Sequence, residues 1–232
     1  MVSLLPLLFL VVSAQAGLDE LIVQASNGDL PQDQRQAAFD DLVRTGYGDE
    51  LIAMAEDPAT DARQRWVIIR VLGKIHSPPG VLALQRLLAD DISGIRAAAA
   101  MALGDSGDPS QAAKIAALLE DPAVIVRATA ADALALLGSP EAVPYLVRAL
   151  EDPSNFYRGE PLWVRRHFVV ALGTSQDKSA LPALIRCLDE SDANIIDAAL
   201  VSLEQVSGVS WSDGRNRAEQ IQAWMRWYAN QQ

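Results

Sequence analysis

The sequence predicts an all-α fold, a right-handed α-solenoid of about six helical hairpins closed by short helical caps. Three observations predict it. The phrase "IRAAAAMALGDSG", Ile95 to Gly107, returns 31 residues later as "VRATAADALALLG", Val126 to Gly138. A column of arginines, Arg35, Arg65, Arg96, Arg127 and Arg165, recurs at intervals of 30, 31, 31 and 38, and each is followed seven residues later by Leu42, Leu72, Leu103, Leu134 and Leu172. A sixth copy keeps the frame with Ile196 and Leu203. Half the residues are hydrophobic while only 6% are aromatic, a composition rich in Ala and Leu that favours helices over strands.

Residues 1–16, within "MVSLLPLLFLVVSAQAG", read as a signal peptide: an apolar run from Val2 to Val12 precedes Ala14-Gln15-Ala16, the small-x-small pattern of a cleavage site. Cleavage would leave Gly17 first and set the protein outside the cytoplasm, periplasmic or secreted. The run is shorter than the roughly 20 apolar residues that a bilayer span takes. Its start carries no Lys or Arg, so an uncleaved anchor is the alternative, and a membrane is a partner only in that case. Residues 17–29 form an amino-terminal capping helix, residues 30–208 the repeats, and residues 209–232 a carboxy-terminal cap. In the last of these, Ser212 or Asp213 is placed to cap a helix that carries Ile221, Trp224, Met225 and Tyr228 on one side.

Within a repeat, Asp121-Pro122 suits a helix start, because Asp accepts from free first-turn amides and Pro is harmless at the first helical position. Val126, Ala130, Ala133, Leu134 and Leu137 follow at helical spacing and Gly138 ends the helix. A second helix carries Val143, Leu146, Val147 and Leu150 on one face. Such a hairpin cannot bury its apolar face alone, so neighbours must stack. The wording "DPAVIVRATAADALALLGSPEAVPYLVRALED" closely resembles the HEAT-like repeat of the phycobilisome-lyase type, over roughly Leu30 to Gly208. The resemblance implies the fold and leaves function open, since such repeats occur in lyases, hydroxylases and scaffolds. The hydroxylase relatives carry His-Glu pairs, and none occurs here.

The net charge of −11 excludes phosphate backbones, hence nucleic acid, and favours basic protein surfaces. Cys187 is the only cysteine, so no intramolecular disulfide forms; its alignment with Ala149, Leu118 and Leu87 reads it as buried and inert. His76 and His167, two repeats apart, make no metal cluster, and no phosphate loop or nucleophile elbow is present. No catalytic residue, metal site or cofactor is expected.

The Arg column reads as a structural ladder, each Arg pairing with the Asp six residues before it (Asp29, Asp90, Asp121), or alternatively as a binding stripe. Between Asp152 and Arg165 the chain is seven residues longer than its counterparts, an insert at 153–162 carrying Phe156, Tyr157, Arg158, Gly159 and Glu160, with Trp163 just beyond. Its aromatic and Arg content suits either a binding loop or a plug between hairpins. Arg165, Arg166 and His167 make a positive spot, read as a solvated helix face or as an anion-binding corner with Arg158. Lys114, Tyr145, Arg148 and Arg186 on second helices complete the candidate contact residues. The function expected is non-catalytic protein binding on a curved repeat surface. The alternatives are a lyase-like or accessory enzyme gripping a small anionic or tetrapyrrole ligand between Arg158, Arg165 and Trp163, and an envelope component held by an uncleaved anchor.

Overall fold

The computed structural model describes residues 17–231, so the signal-peptide reading of residues 1–16 lies outside the described residues. Residues 17–26 are helical (α1). The chain continues as α2 (Gln32–Thr45), α3 (Gly48–Glu56), α4 (Ala62–Ile75), α5 (Pro78–Leu87), α6 (Ser93–Asp105), α7 (Ala112–Ala116), α8 (Val124–Leu137), α9 (Val143–Glu151), α10 (Val164–Thr174), α11 (Leu181–Arg186), α12 (Ala193–Ser207) and α13 (Arg217–Ala229). The second helices are short, and α7, α9 and α11 are each flanked by 3-10 turns. Two compact units divide within α6, one ending at Ala102 and the other running from Leu103. In the first, α3 packs on α4 and α5; in the second, α10 lies against α8, α9 and α12.

The Leu column is the core. Leu42, Leu72, Leu103, Leu134, Leu172 and Leu203 are all fully buried. One position later stand Gly73, Gly104 and Gly173, and these are where first helices touch. A Cβ on Gly73 would lie 2.8 Å from the Cβ of Ala102, and one on Gly104 would lie 2.7 Å from the Cα of Ala133. The small residues are therefore matched: a glycine in one copy receives Ala102, Ala133 or Ser202 from the next. The turns follow local chemistry. Asp57, Asp90, Asp121 and Asp152 each accept the amide two residues on, at 2.7–2.9 Å. Gly46, Gly138 and Gly208 end their helices in the left-handed region that L side chains avoid.

Each terminal segment holds a helix, with two differences from the sequence reading. Leu18 and Ile22 bury the inner face of α1. At the other end the N-cap is Asn216, whose side chain accepts from the Glu219 amide while the Glu219 carboxylate accepts from its backbone N–H. This reciprocal box outcompetes Ser212 and Asp213, which lie too early for it. Trp224 is fully buried, but Met225 is 43% exposed, one helical position round from the inward side.

Gly104→Ala tests the close contact. The substitution gains ~1 kcal/mol of helix propensity, but the new methyl meets backbone, which cannot rotate away, and overpacking costs ~1–3 kcal/mol. The protein should be destabilised by about 1–2 kcal/mol in urea denaturation. Gly94→Ala, with open space around it, should not be.

Candidate functional site

The column arginines join consecutive hairpins, and their bonds are not the carboxylate pairs the local sequence suggests. Arg65 donates from Nε to the Ala55 carbonyl at the end of α3, at 2.8 Å, and pairs through Nη2 with the Asp90 carboxylate, 25 residues on. Arg165 repeats this with the Leu150 carbonyl (3.1 Å) and Glu190 (2.6 Å), again 25 residues on. Arg127 donates to the Asp121 carbonyl at 2.8 Å and to Asn155 Oδ1 at 2.9 Å. Arg96 likewise donates to the Asp90 carbonyl (2.8 Å). The Asp six residues before the Arg therefore contributes its backbone oxygen to that Arg, while the Asp90 carboxylate serves the Arg of the copy before. The physical reason is that second helices end with orphan carbonyls, and a guanidinium fork can reach these and the next turn together.

The insert divides into an inward and an outward half. Asn155 is buried, its amide donating to the Ala149 carbonyl (2.8 Å) while its oxygen accepts from Arg127. Phe156 lies under the Arg165 guanidinium, 4.2 Å from ring centroid to the cation. A two-residue turn then reverses the chain between β1 (Phe156–Tyr157) and β2 (Glu160–Pro161). Its corner residues, Arg158 and Gly159, both have positive φ, 54° and 85°, which matches the right-handed twist of a tight hairpin. Tyr157 is 63% exposed with the Arg158 guanidinium 5.3 Å over its ring, and Trp163 is 52% exposed. Trp163 packs edge-on to His167 at 5.4 Å, and His167 Nδ1 shares a 2.6 Å hydrogen bond with Asp132.

The other candidates separate. Arg165, expected on the contact surface, is 4% exposed and belongs to the ladder. Arg166 points elsewhere, into a cavity lined by Asn194, Asp197 and Gln205. Arg148 pairs with Glu120 and Arg186 with Glu151. In the first unit Arg86 pairs with Glu56 in the same way, and the sequence reading missed these exposed pairs because each partner ends the preceding second helix. Tyr145 lies beneath Arg148, and Lys114 is exposed on α7.

A second cavity, in the first unit, also escaped that reading. It has a volume of 480 Å³ and is lined by Arg35, Arg63, Trp66, Val67, Ile92 and Ile95 among others. Among the described residues no group of three or more His, Cys, Asp or Glu side chains converges as metal ligands, and no helix is long and apolar enough to cross a membrane. Burial pushes the Cys187 thiol up to about 12.

A family model of HEAT repeats matches residues 48–124 and 112–204. A search of the curated proteins found no match. Among solved structures the chain is similar to the complex of CpcE and CpcF of phycocyanin lyase from Nostoc sp. PCC7120, at 25% identity and TM-score 0.60, covering 69% of this chain and 65% of that one. It thus spans about two-thirds of that chain's length. It also resembles Kap121p (15% identity, TM-score 0.61, 94% of this chain and 27% of that one). A designed armadillo repeat protein in complex with a (KR)4 peptide matches at 18% identity and TM-score 0.52, covering 82% and 99%.

Two outcomes follow from the geometry. Asn155→Ala removes one acceptor and one donor from a buried network and should cost about 1–3 kcal/mol in chemical denaturation, whereas Tyr157→Ser should change stability by less than about 0.5 kcal/mol. The Cys187 thiol, ordinarily 9.0, is raised in the folded state. Its neutral form is fully favourable below pH 9, and stability is lost as pH rises from 9 towards 12, at about 1.4 kcal/mol per pH unit. Stability curves of the parent and Cys187→Ala across pH 8–11 should diverge by that slope, and the folded thiol should resist alkylation at pH 8.

Proposed function

Because the chain belongs to the HEAT-repeat family, we propose that it is a non-catalytic scaffold that binds a protein partner outside the cytoplasm. The observation that carries this reading is the outward half of the insert. Tyr157 and Arg158 are exposed on a hairpin whose inward half is tied into the buried arginine network, and Trp163 is exposed just beyond it at the start of α10. Tyr, Trp and Arg are the residue types that dominate interface hot spots, and a pre-formed hairpin loses little freedom on binding. An armadillo repeat of the same general fold carries a peptide in the designed complex. The acidic balance of −11 favours a basic surface on the partner.

The lyase-like alternative requires Arg158, Arg165 and Trp163 to face one ligand. Arg165 is already engaged with Leu150, Glu190 and the Phe156 ring, which weighs against a shared site. The phycocyanin lyase likeness supports the fold and leaves the chemistry of this chain to its own residues.

The test is capture from an extracytoplasmic extract with the parent protein beside a Tyr157→Ser, Arg158→Ser, Trp163→Ser variant. These side chains are exposed, so both proteins should melt alike, and the partner should be retained by the parent and lost from the variant. A hot-spot contact costs about 2 kcal/mol when truncated, so the purified partner should bind the variant at least ~30-fold more weakly. Equal binding would remove the insert from the interface and leave the second-helix face. The intact mass of the native protein should correspond to Gly17–Gln232; retention of residues 1–16 would replace the exported form with an anchored one.

A further inference from the structure

Among the described residues, the first arginine of the column has no hydrogen-bond or ion-pair partner for its side chain. Arg65, Arg96, Arg127 and Arg165 each reach a carbonyl of the preceding turn or helix end, but half-buried Arg35 forms no hydrogen bond or ion pair with its guanidinium among the described residues, and its Nε, like Nη1 of Arg165, is buried without an acceptor. The turn that ought to serve it is Asp57-Pro58-Ala59, which repeats the Asp121-Pro122-Ala123 turn. Asp57 follows Arg35 by only 22 residues, against 25 for Arg65–Asp90 and Arg165–Glu190. Its carboxylate is turned to the Ala59 amide at 2.8 Å.

The cavity of 480 Å³ lies where that partner is missing. Its walls are Trp66, Val67, Ile92 and Ile95, with Trp66 and Ile92 each 44% exposed to it and to solvent. Its floor includes the first residues of two long helices, Ala62 and Arg63 of α4 and Gly94 and Ile95 of α6. Helix starts carry partial positive charge, which at α4 is already answered by the Asp61 carboxylate accepting from the Arg63 and Gln64 amides. Arg70 extends the positive character, stacked 4.7 Å over Trp66 and 5.2 Å over Phe39. No carboxylate lines this cavity or the adjoining one formed by Gln32, Arg35, Phe39, Trp66 and Arg70. A purely inorganic anion would leave the apolar wall wet, and a neutral apolar molecule would leave the buried Nε of Arg35 unanswered.

We propose that this cavity is a binding site for a small apolar monocarboxylate, its carboxylate forked on Arg35 and its body against Trp66, Val67, Ile92 and Ile95. The volume falls in the usual range for small-molecule sites, roughly 300–1,000 Å³. The site is independent of the insert and of any protein that binds there.

The test is calorimetric titration of the whole protein at pH 7.5 with decanoate, decanamide and inorganic phosphate, below the aggregation threshold of decanoate. Decanoate should bind at least ~10-fold more tightly than decanamide, the discrimination of one charge-assisted hydrogen-bonded pair, and phosphate should bind more weakly than decanoate. Arg35→Gln should erase the difference between decanoate and decanamide. Ala62→Glu provides a second arm, because Ala62 is exposed at the first position of α4, where Glu suits the helix and plants a competing carboxylate in the cavity. That variant should melt like the parent and lose decanoate binding, and it decides the matter should Arg35→Gln fail to fold. Decanoate binding no tighter than decanamide, or unchanged in either variant, overturns the proposal. Arg35-dependent phosphate binding as tight as decanoate overturns its apolar half. Tighter binding by an apolar peptide with a free terminal carboxylate than by its amidated form, with no decanoate binding, makes the occupant a chain end instead.

Discussion

The architecture depends on a buried guanidinium that ties the end of one hairpin to the turn of the next. A helix leaves its last carbonyls without intrahelical partners, and in a stack of short hairpins many of these ends are shielded from water. Arg65 and Arg165 supply donors to such carbonyls, Ala55 and Leu150, from the first helix of the following hairpin. The same fork pairs with Asp90 or Glu190, so the cation is answered where it is buried. Lys could not make both contacts, since its ammonium is a single point without the planar spread. A buried Arg without such partners would be strongly unfavourable. The Leu column supplies the area, and the Arg column sets the register at which that area is buried.

That register explains how an insertion of seven residues is accommodated. Arg127 finds its side-chain acceptor 28 residues later, in place of 25, and that acceptor is Asn155 at the start of the insert. Asn also donates to the Ala149 carbonyl, which a carboxylate could not do. Phe156 then covers the next Arg, Arg165, with its ring face. Only after these two residues have closed the network does the hairpin turn outward at Arg158 and Gly159. The extra chain length is thus divided by chemistry: its first residues maintain the ladder, and its last residues are left free for solvent or a partner.

The fold was legible because its constraints recur. Every Leu read from the column is buried, Cys187 is buried as its alignment suggested, and the two caps bury Leu18, Ile22 and Trp224. What could not be read is what occurs once or acts across copies. Local spacing pointed Arg96 and Arg127 at an Asp six residues back, and it found the right residue but the wrong oxygen, because the backbone carbonyl leaves no mark in sequence. Arg148 and Arg186 looked like free contact residues, since Glu120 and Glu151 lie 28 and 35 residues away on the preceding helix. The cavity at Arg35 was invisible for the opposite reason: Arg35 fits the column, and only the three-dimensional partners of its equivalents reveal that its own is missing.

Charge neutralisation separates the surfaces this protein presents. Along the second helices Arg86, Arg148 and Arg186 each meet a glutamate, Glu56, Glu120 and Glu151. Pairs this exposed contribute only ~0–1 kcal/mol each, yet they leave that face with no net demand for a charged ligand. On a chain of net charge −11 there is no shortage of carboxylates to answer a cation, so an arginine left unanswered carries information. Two such places stand out. Arg158 sits on exposed aromatic surface at the tip of a hairpin, where a flat partner can reach it. Arg35 sits at the wall of a cavity beside Arg63 and below Arg70, where only a ligand small enough to enter can. Their shapes assign them different kinds of ligand, and both follow from the same rule, since each lies where the ladder that neutralises the interior either ends or is interrupted.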